Sequence, residues 1–191
     1  DTVRRQRQMC IRDRDITFGY EVIDSYNILN KISEFSDFSE DIVIPTMEEC
    51  AKFSEEVLAP INAIGDQQGA TIDNGVVKMP QEFVDAYKKF AEAGWASISL
   101  PEEIGGGGQP ITLSGGTLEI LSTANLAFGL APGLSAGAIS AINFHGSQEQ
   151  KDTFLPKLVS GEWTGTMNLS EPQSGSDLSL IHISEPTRQS P

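Results

Sequence analysis

Positive charge is scarce in this chain. Its 191 residues carry 13 Lys and Arg against 27 Asp and Glu, a formal net charge of −14. A phosphate backbone needs neutralising cations, so nucleic acid is a poor partner for such a surface. Cysteine is nearly absent as well. Cys10 and Cys50 are the only two, too few for a disulfide framework, and a reducing, cytoplasmic setting is the expectation. The only histidines are His145 and His182, and no Cys/His spacing matches a metal site. No apolar run reaches the length of a membrane span, and no apolar segment follows the basic N-terminus as a signal peptide requires. No Gly-Lys-Ser/Thr follows Gly105 to Gly108, which excludes a P-loop. Without a clear preceding strand a dinucleotide-binding turn is a weak reading of those glycines, and a structural or substrate-flanking loop is expected.

A hydrophobic content of 39% is enough to bury the core of one domain. The basic residues are oddly placed. All six arginines lie at the ends (Arg4, Arg5, Arg7, Arg12, Arg14 and Arg188), while Asp15 to Leu178 holds seven lysines and 24 carboxylates. Residues 1–14 and 178–191 resemble translated sequencing adapter, so both are expected to be non-native tails, and the chain is expected to be a fragment. His182 and the second Ser-Glu-Pro at Ser184 to Pro186 are therefore set aside as site candidates.

Between those ends the pattern is helical. Residues 15–41 mix acidic and aromatic side chains without clean period, giving either a short helix and turn over Asn30 to Asp41 or a flexible lead-in. From Pro45 onward Met47, Cys50, Ala51, Ser54, Val57, Leu58 and Ile61 share one helical face, with Pro60 and Gly65 read as its end. Asp73-Asn74-Gly75 is a tight turn between short extended pieces. A second helix opens at Pro80, buries Phe83, Tyr87, Phe90 and Ala91, and ends at Gly94. Leu113, Thr117, Ile120, Leu121 and Ala124 mark a third. Phe128 to Phe144 is apolar on nearly all sides, which predicts a buried core helix, with the wall of an apolar pocket as the alternative. Ser147 and Gln150 form a capping box for the next helix, closed by Pro156 and Gly161. Only after Gly161 does a strand pattern begin. His145, at a helix end, reads as a C-terminal cap rather than a base.

The densest cluster of small polar residues is Met167-Asn168-Leu169-Ser170-Glu171-Pro172-Gln173-Ser174-Gly175-Ser176-Asp177. Glycine lets a main chain approach a planar ligand, and serine supplies a compact donor or acceptor. On these eleven residues alone, a ligand-facing bend and an ordinary turn at a strand end fit equally well. The order of blocks along the chain decides between them. The run resembles the flavin-contacting T/S-E-P-x-x-G-S-D segment of acyl-CoA dehydrogenases. Pro101-Glu102-Glu103-Ile104-Gly105-Gly106-Gly107-Gly108 resembles that family's P-E-x-x-G-G-x-G loop. His145-Gly146-Ser147-Gln148-Glu149-Gln150-Lys151, with Phe154-Leu155-Pro156-Lys157-Leu158 and Ser160-Gly161-Glu162, resembles its G-x-x-E-Q-K…L-P-x-L-x-x-G-E segment. The resemblance covers about residues 42–178. Gly94-Trp95 and Glu162 to Met167 are most similar to the long-chain branch that includes 3-methylmercaptopropionyl-CoA dehydrogenases.

The resemblance implies a mainly α fold. Residues 15–160 would form the N-terminal helical domain, and 161–177 would open a middle β-domain with only its first strand. It implies FAD as cofactor, an acyl-CoA as substrate, an electron-transfer flavoprotein as electron acceptor, and a homo-oligomer. The implied reaction is α,β-dehydrogenation to the 2,3-enoyl-CoA. Carried onto this sequence, Met167, Leu169 and Ser170 would line the isoalloxazine. Gly175 and Ser176 would approach the flavin, and Ser176 also the substrate's pantetheine or phosphate portion. Glu171, Pro172 and Asp177 would hold the turn. The family's proton-removing carboxylate has no matching position here, so no catalytic residue is assigned. Acyl-CoA oxidases and certain flavin monooxygenases share the architecture and are alternative activities. A non-catalytic helical interaction module is a third reading, motivated by the missing base and the acidity. This chain alone is expected to be inactive.

Overall fold

The computed structural model describes residues 14–167, 169, 170 and 175. The lead-in is ordered. Helix α1 spans 14–22, and α2 (Ser25–Leu29) follows after Asp24 in the left-handed region. Their aromatic residues form a cluster, in which Tyr20, Tyr26 and Phe38 pack with ring centroids about 6 Å apart. The Tyr20 hydroxyl donates to the Thr112 carbonyl at 2.6 Å, tying the lead-in to the start of the longest helix. A 3₁₀ turn (Ser33–Phe35) then leads to α3.

Helix α3 (Glu40–Phe53) begins five residues before Pro45, with Glu40 and Asp41 at its positive end. Its inner face is the one the spacing picks out: Met47, Cys50, Ala51, Ser54, Leu58 and Ile61 are all buried. Pro60 and Gly65 do not end the run. Pro60 lacks the N–H that helix continuity needs. The chain responds with a π turn over Ser54–Leu58, in which the Ala59 N–H donates to the Ser54 carbonyl, and continues as α4 (Ala59–Gln68). Gly65 is inside α4 because the Phe83 ring lies against it; a β-carbon there would sit 2.5 Å from the ring.

The Asp73-Asn74-Gly75 turn is a hairpin. Strands β1 (Thr71–Asp73) and β2 (Val76–Lys78) pair antiparallel with Ile72 opposite Val77. Asn74 and Gly75 both have positive φ, the requirement of a type I′ turn. Helix α5 (Gln81–Glu92) buries Phe83, Ala86 and Phe90. It ends as predicted: Gly94 donates to Ala91 and Trp95 to Phe90, a Schellman motif.

Helix α6 (Ile111–His145) joins the third helix and the apolar one into a single 35-residue element. The two are still distinct, because Asn125 has extended dihedrals (φ −159°, ψ 88°) and restarts the helix. Its Oδ1 accepts from the Phe128 N–H at 3.0 Å, an N-cap. Its Nδ2 donates to the Leu58 carbonyl at 3.3 Å, in the π turn. Phe128, so placed, sits edge-on to Phe90 at 5.5 Å and beside Phe83 and Tyr87. Helix α7 (Gln148–Val159) carries both capping-box bonds between Ser147 and Gln150, runs through Pro156, and ends at Gly161, whose φ is 75°. It packs on the second half of α6 through Leu100, Ile139, Leu155, Leu158 and Val159.

Two expectations about α6 are overturned. Past Phe128 only Ser135 and Ile139 are buried, on one stripe, while Leu130 and Phe144 are more than 60% exposed. All-round apolarity therefore does not mean all-round burial here: the described residues cover one side. By length and composition α6 also qualifies as a membrane-crossing helix. A search for an unbroken apolar run misses it because Ser, Thr, Asn and Pro interrupt a stretch whose average is still apolar.

The Cys50 thiol is fully buried and points at the Thr117 carbonyl. Burial pushes it up to about 12, only partly offset by the Ser54 hydroxyl. Burial likewise pushes the Tyr20 hydroxyl up to about 12, against the lowering effect of its bond to Thr112.

Two outcomes follow from this packing. Asn125→Ala leaves the Leu58 carbonyl and the Phe128 N–H without their partner and lowers stability by about 3 kcal/mol in urea unfolding. Cys50 and Tyr20 hold their protons more tightly folded than unfolded, so their stabilisation is complete below pH 9.0, the ordinary thiol value, and fades as pH rises toward about 12. The melting temperature therefore falls across that window, and Cys50→Ala makes the fall shallower.

Candidate functional site

The predicted flavin-contacting run begins where the chain leaves α7. The Trp163 N–H donates to the Lys157 carbonyl at 2.9 Å. The Trp163 ring lies 6.1 Å from Phe154 and 4.6 Å below the Lys157 ammonium, which also meets Glu162 at 3.2 Å. Trp163 is thereby fixed to α7. Two residues on, the backbone crosses the small-residue face of α6. The Gly165 N–H donates to the Ser135 Oγ at 3.0 Å, and a β-carbon on Gly165 would lie 2.5 Å from that of Ala138.

Beyond this crossing Met167 is 62% and Leu169 41% exposed, and Ser170 and Gly175 are exposed too. None of Met167, Leu169 and Ser170 hydrogen-bonds to another described residue. Ser176, together with Glu171, Pro172 and Asp177, lies outside the described residues. The strand expected after Gly161 is not formed among the described residues: 164–167 are irregular, and the Gly165 N–H is given to a side chain rather than to a neighbouring strand. What the strip offers is chemistry. Two apolar side chains, unspent main-chain groups and one hydroxyl stand within four residues. An isoalloxazine is flat, apolar on its faces and polar at one edge, and this donor set fits it.

The glycine-rich loop is of a different kind. After the 3₁₀ turn Glu102–Ile104, the N–H groups of Gly106, Gly107, Gly108 and Gln109 donate back to the carbonyls of Pro101, Ser97, Leu100 and Ile98. These donors are spent inside the protein. The loop is structural, pressing Leu100 and Ile104 onto α7. His145 is the exposed last residue of α6, where a basic side chain faces the helix's negative end. A groove of about 460 Å³ opens between α1 and the first half of α6, lined by Ile16, Tyr20, Ile23 and Gly116 with Asp15 and Glu119 at hand, and shares no residue with the strip.

Comparison with known proteins identifies the helical domain. The family model described as acyl-CoA dehydrogenase, N-terminal domain, matches residues 46–162. The chain belongs to the acyl-CoA dehydrogenase family, and its described part is that family's N-terminal helical domain. Over 168 residues it is 41% identical to 3-methylmercaptopropionyl-CoA dehydrogenase of Ruegeria pomeroyi, which covers 88% of this chain and 29% of that protein. It is 31% identical to butyryl-CoA dehydrogenase of Syntrophomonas wolfei, over 88% of this chain and 28% of that one. Among solved structures it is similar to an acyl-CoA dehydrogenase complexed with FAD from Bacillus anthracis, with a TM-score of 0.60 and 27% identity over 75% of this chain and 23% of that chain. The chain thus spans under a third of the length of these relatives.

Sequence reasoning missed Asn125 and Ser135. The first had a visible signal, a lone amide three residues before a phenylalanine in an apolar stretch. The second had none, because its partner is 30 residues away. The structural reading of the glycine loop is testable. Gly106→Ala drives a methyl into the Leu100 backbone and costs about 2 kcal/mol in urea unfolding, while added phosphate or nucleotide leaves the melting temperature of the unmodified protein unchanged.

Proposed function

We propose that this chain is the N-terminal helical part of an FAD-dependent dehydrogenase that converts an acyl-CoA to its 2,3-enoyl-CoA. The observation that carries the reading is the exposure of Met167, Leu169 and Ser170 just past Trp163 and Gly165, which are held at the edge of a helical domain of this family. FAD, when bound, supplies a two-electron acceptor for the hydride leaving the substrate's β-carbon. The residues of this chain bind and orient. Met167 gives apolar cover along the ring, Leu169 meets it through its backbone, and the Ser170 hydroxyl hydrogen-bonds its polar edge. Gly175 permits close approach of the main chain, and Ser176 reaches toward the pantetheine or phosphate portion of the substrate. The uncovered apolar face of α6 is the kind of surface that keeps an acyl chain dry. The α-proton goes to a carboxylate that no position of this chain supplies. An electron-transfer flavoprotein is the proposed acceptor of the electrons.

The complete gene product is expected to purify yellow, and its flavin absorbance to bleach when an acyl-CoA is added without oxygen. Ser170→Ala removes one hydrogen bond of about 1 kcal/mol, so FAD binds about fivefold more weakly. A folded but colourless protein rejects the reading. Stoichiometric release of peroxide with the acyl-CoA assigns an oxidase instead.

A further inference from the structure

We infer that Ser135, together with the Gly165–Ala138 contact, sets the position of the flavin-facing strip, making Ser135 a positioning residue for the cofactor. The inference rests on the functional reading above and adds a part of the protein that the motif does not contain. A serine inside a helix commonly bonds only its own preceding turn. The Ser135 hydroxyl, 4% exposed, is used twice. It donates to the Ala131 carbonyl at 3.2 Å and accepts from the Gly165 N–H at 3.0 Å. The first bond fixes the hydroxyl's direction, and the second tethers a segment 30 residues away.

Beside the tether the fit is steric. A Gly165 β-carbon would lie 2.5 Å from the Ala138 β-carbon and 3.2 Å from the Ser135 α-carbon, so only glycine lets the backbone lie this low on α6. The hydrogen bond thus fixes the strip laterally, and the missing methyl fixes its height. Upstream, Trp163 is held to α7 by its N–H bond to the Lys157 carbonyl and by Phe154 and the Lys157 ammonium at its ring. Any shift at Gly165 is therefore passed downstream, to Met167 two residues on and then to Leu169 and Ser170. Loss of the tether leaves the Gly165 N–H facing an apolar helix without a partner, which favours lifting the strip into water.

The test uses the complete gene product and reads the FAD dissociation constant and the position of the long-wavelength flavin band. Ser135→Ala weakens FAD about fivefold, the loss of one neutral hydrogen bond, and shifts the band; Ser135→Thr, which keeps the hydroxyl, restores both. Gly165→Ala weakens FAD about tenfold or more, because an overpacked methyl costs more than a lost neutral bond. Adding Ala138→Gly, which removes the opposing methyl, recovers the binding. Ile139→Val, whose side chain packs in the α6–α7 cluster and does not touch Gly165, lowers the melting temperature but leaves affinity and band unchanged. A yellow parent protein whose Ser135→Ala and Gly165→Ala forms match it in affinity and band overturns the inference while leaving the functional reading intact. A colourless parent overturns both. Should Ser135→Ala fail to fold, the Gly165→Ala and Ala138→Gly pair decides alone: no recovery by the second substitution overturns the inference.

Discussion

The Asn125 amide holds two irregular helices to each other. Pro60 denies one helix its regular ladder and produces the π turn at Ser54–Leu58. Asn125 breaks the other. One side chain then meets both defects, donating to the Leu58 carbonyl and capping the restarted helix at Phe128. An uncapped, unpaired break in a buried helix would be costly. Satisfied, it becomes a fixed joint. Phe128 is thereby delivered to the middle of the Phe83, Tyr87 and Phe90 cluster, so α5 depends on the same joint. The second half of α6 leaves the joint in a set direction, and both α7 and the Gly165 crossing are built on that half.

Much of this architecture can be read from residue spacing, and the failures have identifiable causes. The inner face of α3, the hairpin turn, the Gly94 stop and the Ser147–Gln150 box are each decided by residues close in sequence, so local rules suffice. Pro60 and Gly65 mislead because the remedy in one case is a change of hydrogen-bond pattern and in the other a ring arriving from α5. Neither is visible locally. The second half of α6 misleads for the opposite reason: its composition is uniformly apolar, and composition does not say which side is covered. The site divides in the same way. The motif from Met167 to Asp177 stands out through its order with two upstream blocks. The tether just before it, from Gly165 to Ser135 thirty residues away, leaves no trace in either segment alone.

Charge contributes little to holding the domain together. Among the described residues two ion pairs form, Lys78–Asp73 and Lys157–Glu162, and both are exposed. Such pairs are worth little in water. The Lys157 side chain is nonetheless useful for a different reason, since it covers the Trp163 ring and so guides the chain out of α7 toward the crossing on α6. Cohesion comes from two apolar clusters, one around α3 to α6 and one between α6 and α7, joined by the long helix.

The hairpin stands apart from both clusters. Every residue from Thr71 to Met79 is exposed, with Ile72, Val76 and Val77 each at least 60% so. It fills no space between helices; it only carries the chain from the end of α4 to the start of α5, and its I′ turn fixes its own register. Segments of this kind tolerate changes of length without cost to the body they connect. Of all the connections in the domain, this is where a reporter peptide or a fluorescent label can be spliced in while the helices on either side keep their seats.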